Sequence, residues 1–149
     1  GPRRPSPRTG ERTMTRTLSR LAAIAMVASA TLVSGVAHAE GDQVRPVRAE
    51  QLPNAPGKTI TAVVVNYAPG GKSAGHHHAG SVLAYVITGE IRSENSATGP
   101  AKVYKAGESF FEPPGSSHLI SENASATDPA SLLAIFVADD GAQLTTVDK

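Results

Sequence analysis

The segments GGKSAGHHH (residues 70–78) and GESFFEPPGSSH (residues 107–118) decide the fold of this chain of 149 residues. The first reads Gly-x5-His-x-His, and the second reads Gly-x5-Pro-x-Gly-x2-His. Strand-like sequence surrounds both segments. We therefore expect a small β-barrel that gathers three histidines around one divalent metal.

The histidine spacing predicts a metal clamp. Side chains alternate along a strand, so His76 and His78 share one face and His77 points to the other. Imidazole is the commonest protein ligand for divalent transition metals. His118 adds a third ligand from another strand and leaves positions open for water or substrate, as in catalytic metal sites. A solvated histidine-rich loop is the alternative, and we keep that interpretation for His77.

Short runs of β-branched and apolar residues, separated by Gly and Pro, recur along the chain. None of them shows convincing helical periodicity. The pattern predicts an all-β sandwich or barrel in a single domain. The predicted strands are 60–67, 82–87, 90–94, 101–105, 108–112, 118–122 and 132–138.

The N-terminal part of the chain predicts export. Residues 1–13 read as an upstream or non-native extension, 14–39 as a signal peptide cleaved after Ala39, 40–57 as an extended arm and 58–149 as the folded domain. The apolar run of the signal peptide is too short and interrupted to cross a bilayer, so we expect no stable membrane anchor. A buried N-terminal helix is the alternative. Export predicts a periplasmic or secreted protein.

Charge and cysteine content narrow the function classes. Residues 40–149 carry eight Lys and Arg against twelve Asp and Glu, a net charge of −4. No basic patch is present, so we expect no nucleic-acid partner. The chain has no cysteine, so an exported domain of this size must depend on its core, a metal or an oligomer interface for stability.

The two histidine segments together resemble the signature of the cupin superfamily, over residues 60–138. The resemblance implies a jelly-roll β-barrel with the metal inside. It implies His76, His78 and His118 as the metal ligands. A cupin usually supplies a glutamate ligand at the position of Val82, so the resemblance implies that the fourth, anionic ligand is missing here.

A three-histidine site is similar to that of cupins of the acetylacetone dioxygenase type, which hold Fe(II) by three neutral imidazoles. That type has a glutamate six residues before the third histidine, which is Glu112 in this chain. The resemblance implies that Glu112 lies near the metal without binding it and orients water or takes a proton. An exposed acid at a strand end is the alternative. Cupins of this group also resemble the metal-binding half of anti-sigma factors.

These features predict an exported Fe(II)-type dioxygenase of a small dicarbonyl or phenolic compound, although Mn, Ni, Cu or Zn would also suit the ligands. A non-enzymatic binding protein for metal or a small ligand, and a zinc-dependent isomerase or lyase, are the alternatives. We expect Phe110, Arg92 and Ile120 to contact the substrate. A homodimer formed through an outer sheet face is also expected.

Overall fold

Regular structure in residues 42–149, the part of the chain that the computed structural model describes, consists entirely of β-strands. The predicted extension at 1–13 and the predicted signal peptide at 14–39 lie outside the described residues. No helix in the described part has the length and apolar character needed to cross a membrane. The ten strands are β1 (Asp42–Gln51), β2 (Lys58–Tyr67), β3 (His76–His78), β4 (Ser81–Thr88), β5 (Glu90–Asn95), β6 (Gly99–Lys105), β7 (Ser109–Glu112), β8 (Ser117–Asn123), β9 (Ala130–Asp139) and β10 (Thr145–Val147).

The strands form two five-stranded antiparallel sheets. Sheet I has the order β1-β2-β9-β4-β7, and sheet II has the order β10-β3-β8-β5-β6. Most neighbours within a sheet are far apart in sequence, which is the pattern of a jelly roll. The predicted all-β jelly-roll fold is confirmed, and each of the seven predicted strands is present with ends shifted by at most two residues.

Residues 42–51, expected as part of an extended arm, form the edge strand β1. This strand pairs with β2 along its whole length, with a register shift between Pro46 and Arg48. Proline has no N–H to donate, so within sheets it is confined to edge strands and bulges. The proline-containing segment therefore fits the edge of sheet I, to which it adds one strand.

Alternation along β4 separates the barrel interior from the outer surface. Val82, Ala84 and Val86 are buried, whereas Leu83 and Tyr85 are exposed by nearly half. The inward residues of β4 belong to the same buried apolar cluster as those of β2 and β9. The remaining buried apolar side chains of this cluster are Val63, Tyr67, Ile91, Phe110, Ala130, Leu132, Ala134 and Phe136.

A tight turn joins β7 to β8 and carries the second histidine segment. The N–H of Ser116 donates to the carbonyl of Pro113 at 3.2 Å, and Gly115 has a φ of 76°. Proline followed by a glycine with positive φ is the sequence that a type II turn requires. The turn reverses the chain within a few residues, so Glu112 at the end of β7 lies close to His118 near the start of β8.

Candidate metal centre

β3 delivers two of the predicted ligands. His76 and His78 are buried on the inner face of sheet II, and their ring centroids are 4.7 Å apart. His77 points outward, where its Nδ1 lies 2.6 Å from Asp148 Oδ1. The alternation predicted from the sequence places these three side chains correctly.

His118 comes from the neighbouring strand. It pairs directly with His76 across β3 and β8, and the two ring centroids are 5.0 Å apart. Glu112 reaches the same point from sheet I, by way of the turn described above. The structure therefore brings His76, His78, His118 and Glu112 together, and one ligand atom of each lies within 4.8 Å of all the others.

Backbone carbonyls fix the protonation of the two β3 histidines. His76 Nδ1 lies 2.7 Å from the carbonyl of Ala74, and His78 Nδ1 lies 3.0 Å from the carbonyl of Leu144. A carbonyl can only accept a hydrogen bond, so each Nδ1 carries the proton and donates it. Each Nε2 then keeps a free lone pair, which is the tautomer that a metal ligand needs.

His118 is held differently. Its Nε2 lies 2.8 Å from the buried hydroxyl of Ser93, and its Nδ1 lies 3.2 Å from Glu112 Oε1. The ring therefore presents Nδ1 to the cluster. Ser93 was missed in the sequence analysis because no motif marks it. Its inward position on β5 follows from alternation with buried Ile91, but its contact with His118 depends on the pairing of β5 with β8.

One oxygen of the Glu112 carboxylate lacks a hydrogen-bond donor within the described residues. Its Oε2 lies 3.5 Å from His78 Nε2 and, among residues 42–149, has no hydrogen-bond partner although it is buried. A buried unpaired carboxylate oxygen is costly unless a cation or a donor satisfies it. The resemblance implied Glu112 as a neighbour of the metal that does not bind it, and the structure places its carboxylate within the donor cluster itself.

The ionisation states of the clustered side chains favour the binding of a cation. Burial lowers the pKa of His78 to about 4, an effect that the negative charge of Glu112 offsets only in part. Burial also lowers the pKa of His76. Burial alone would raise the pKa of Glu112, but hydrogen bonding and charge from His118, together with the charge of His78, bring it below the usual value. At neutral pH the cluster thus offers neutral β3 imidazoles and an ionised carboxylate, and this donor set fits a divalent metal.

The cluster lies in the wall of a cavity of about 600 Å³ between the two sheets. Phe110, predicted to contact substrate, lines this cavity, and so does Phe136, whose ring lies 5.1 Å from that of His78. The cavity reaches the surface at exposed lining residues such as Pro46 and Val147. Most of its wall is apolar, contributed by Val44, Val63, Val65, Val82, Ala84, Leu132, Ala134 and Leu144.

The structure does not bring Arg92 and Ile120 to this cavity. Arg92 points outward from β5 and pairs with Glu122 at 3.4 Å. In β8, one extra residue lies between the partners of Glu94 and Asn95. Such a bulge changes the inward–outward phase of the strand, so a serine, Ser121, lines the cavity in place of Ile120.

Comparison with known proteins gives one family and many similar structures. The family model described as Cupin domain matches residues 63–136. An oxalate oxidase bound to the substrate analogue glycolate is 22% identical, with a TM-score of 0.56 over 74% of this chain and 56% of the oxidase. DMSP lyase DddQ from Ruegeria pomeroyi is 19% identical, with a TM-score of 0.57 over 72% of this chain and 51% of the lyase.

A third similar structure is Peruvianin-I, described as a cysteine peptidase from Thevetia peruviana latex. It is 27% identical, with a TM-score of 0.55 over 72% of this chain and 67% of its own. No curated protein matches this chain. The chain spans little more than half the length of the oxidase and the lyase. At 22% and 19% identity, these two likenesses show the fold alone.

Proposed function

We propose, on the premise that this chain belongs to the cupin superfamily, that it is an exported metal-dependent enzyme. The observation that carries the proposal is the buried cluster of His76, His78, His118 and Glu112 in the wall of an apolar cavity. A buried set of donors beside a cavity is the arrangement of a catalytic metal site, because a substrate can reach the metal there.

The reaction we propose is an Fe(II)-type dioxygenation of a small dicarbonyl or phenolic compound. With one carboxylate among imidazoles, a divalent metal keeps a net positive charge, which favours an anionic, chelating substrate. When bound, the metal would supply Lewis acidity and, if it is redox-active, access to O2 chemistry. Mn, Ni, Cu and Zn suit the same donors.

Residues of the chain itself would hold the substrate and move its proton. Glu112 is ionised at neutral pH, so its carboxylate can accept a proton from an acidic C–H or O–H of a substrate in the cavity. Phe110 and Phe136 cover the histidine rings from the apolar side. They would exclude water from the neighbourhood of the carboxylate and strengthen its interactions.

A zinc-dependent isomerase or lyase is the second candidate. The presence of a carboxylate among the imidazoles favours it, because histidine and glutamate together are a common catalytic zinc set. The oxalate oxidase and the DMSP lyase place different reactions on this fold, so fold does not choose between them. A non-enzymatic role in binding metal or a small ligand is the third candidate.

Metal analysis followed by an O2-uptake assay tests the proposal. We expect about one equivalent of metal per chain, and O2 uptake from the iron-loaded protein with a panel of β-diketones and catechols. His118→Ala is the matched inactive control. Turnover of substrate without O2 uptake would favour the lyase or isomerase, and absence of any metal uptake would contradict the metal-dependent function.

Two further expectations become part of the proposal. We propose that the signal peptide at 14–39 directs export to the periplasm or the exterior, so that the mature chain begins at Glu40. N-terminal sequencing of the exported protein tests this.

We also propose a homodimer formed through the exposed apolar face of sheet I, which includes Leu83, Tyr85, Ile87 and Phe111.

A further inference from the structure

A chain of four hydrogen-bonded side chains lines the same cavity as the metal cluster. Ser73 Oγ lies 2.5 Å from Asp42 Oδ2. Tyr67 Oη lies 3.0 Å from Ser73 Oγ and 2.7 Å from Ser121 Oγ. Asp42 comes from β1, Tyr67 from β2 and Ser121 from β8, so this row of hydrogen bonds connects the two sheets. None of these residues belongs to the two histidine segments, except Ser73 within the first.

The carboxylate fixes the direction of every hydrogen bond in this chain. Ser73 donates its single hydroxyl proton to the carboxylate oxygen Oδ2 of Asp42, which accepts it. Tyr67 must then donate to Ser73, and Ser121 must donate to Tyr67. Burial raises the pKa of Tyr67, which keeps its hydroxyl protonated and the order intact. Each of the three hydroxyl protons is therefore already used in a hydrogen bond. The four linked side chains can offer only acceptor lone pairs to a group in the cavity.

One acceptor of the chain is unsatisfied. Asp42 Oδ1 is buried and has no hydrogen-bond partner among residues 42–149. Leaving a carboxylate oxygen without a donor is costly, so a group from within the cavity would bind there favourably. Because the chain offers acceptors, that group must be a hydrogen-bond donor, and a positive charge would strengthen the contact.

We propose that Asp42, held by Ser73, Tyr67 and Ser121, forms a subsite for an ammonium or similar cationic donor group of the ligand. The inference rests on the proposed function, in which an anionic group of the same ligand binds the metal cluster. Asp42 and the metal cluster line the same cavity, so one small ligand can contact both. The ligand class that this arrangement fits is a small molecule with an ammonium at one end and, at the other, the anionic group that the proposed function assigns to the metal; a carboxylate is the simplest probe of that group.

Binding of matched acid pairs to the cobalt-loaded protein tests the proposal without any turnover. The probes are glycine, 3-aminopropanoate and 4-aminobutanoate, each compared with acetate, propanoate or butanoate of the same chain length. The visible spectrum of the bound Co(II) reports carboxylate binding, and calorimetry gives the affinity. We expect at least one amino acid to bind about tenfold or more tightly than its unsubstituted partner, the size of one charge-assisted hydrogen bond.

Three variants test whether the preference for the amino acid over the unsubstituted acid depends on Asp42 and the side chains that hold it. Asp42→Asn should abolish the preference for the amino acid while leaving the affinity for the unsubstituted acid unchanged. Tyr67→Phe removes the hydroxyl that orders the chain and should reduce the preference without removing the charge. Glu50→Gln is the matched control, because it removes a negative charge from β1 at an exposed position. The control should behave as the unaltered protein.

The outcomes separate this proposal from the one on which it rests. Equal affinity for amino acid and unsubstituted acid at all three lengths, with carboxylate binding to the metal intact, would overturn the subsite and leave the metal-dependent function standing. A preference that survives Asp42→Asn would also overturn it. Failure of every acid to perturb the cobalt spectrum would overturn the subsite proposal, whereas failure of the protein to take up cobalt would overturn the metal-dependent function.

Discussion

Val82 of β4 and Glu112 of β7 are direct register partners in sheet I, and both side chains are buried. Val82 occupies the position at which a cupin usually supplies its glutamate ligand. Paired residues in antiparallel strands have Cβ atoms about 4.5–5.5 Å apart. A carboxylate from Glu112 can therefore reach the region that a glutamate at position 82 would fill, and the neighbouring strand restores the missing anionic group.

Glu112→Gln should retain metal, because the three imidazoles remain, but weaken its affinity by about 10–100-fold, and should abolish turnover. The amide keeps the size of the side chain and loses the charge and the proton acceptor. Metal titration by calorimetry, together with the activity assay, provides the measurement. Glu90→Gln, at an exposed position of β5, is the control. Unchanged turnover in Glu112→Gln would contradict a role for this carboxylate in the reaction.

His76→Ala, His78→Ala and His118→Ala should each abolish tight metal binding. Each removes one imidazole from a cluster whose ligand atoms all lie within 4.8 Å of one another. His77→Ala is the matched control, because this side chain is directed to the surface and contacts Asp148. Elemental analysis after dialysis measures the bound metal. Equal loss of metal in the control would show that the histidine run binds metal as a surface loop.

The metal-free protein should lose stability as the pH falls from about 6.5 to about 4. The pKa of His78 is lowered in the folded state to about 4 from 6.5, so the unfolded chain takes up a proton first over this interval. The loss from His78 alone is about 3 kcal/mol and is complete below the folded pKa. Urea unfolding across this range, with His78→Gln as the comparison, measures it. An equal slope in both proteins would exclude His78 as the cause.

Gly80→Ala should destabilise the fold by about 1–3 kcal/mol, as expected for overpacking. A Cβ at this position would collide with the backbone oxygen of Val137 in β9. Backbone cannot yield as a flexible side chain can, so the start of β4 must shift. Gly75→Ala is the control, since a Cβ there meets nothing within 4 Å. Denaturant unfolding compares the two, and equal stabilities would contradict the close approach.

Leu83→Lys should convert the proposed dimer to a monomer. Leu83 is 45% exposed, and its register partners Ile135 and Phe111 extend an apolar row across the outer face of sheet I. A lysine in that row would place a charge in a buried interface. Leu119→Lys, at an equally exposed position of sheet II, is the control. Sedimentation velocity distinguishes the two states, and a monomeric unaltered protein would contradict the interface.

The sequence predicted the fold well because the signals are local. Alternating side chains in β4 and β9, and the Pro-Gly turn before His118, depend on a few neighbouring residues. β10 was missed, because Thr145–Val147 is short and partly exposed. Its identity as a strand depends on pairing with β3, which lies about 70 residues earlier in the chain.

The sequence by itself determined which groups could bind a metal and on which face of each segment they lie, since spacing along a strand is a property of the local backbone. Only the tertiary structure decided which of them meet and what surrounds them. Pairing of Val82 with Glu112, the bulge in β8 that exchanges Ile120 for Ser121, and the contact of Asp42 with Ser73 each depend on the register between distant strands. Register is set by the packing of the whole core, and no short segment of the chain contains it.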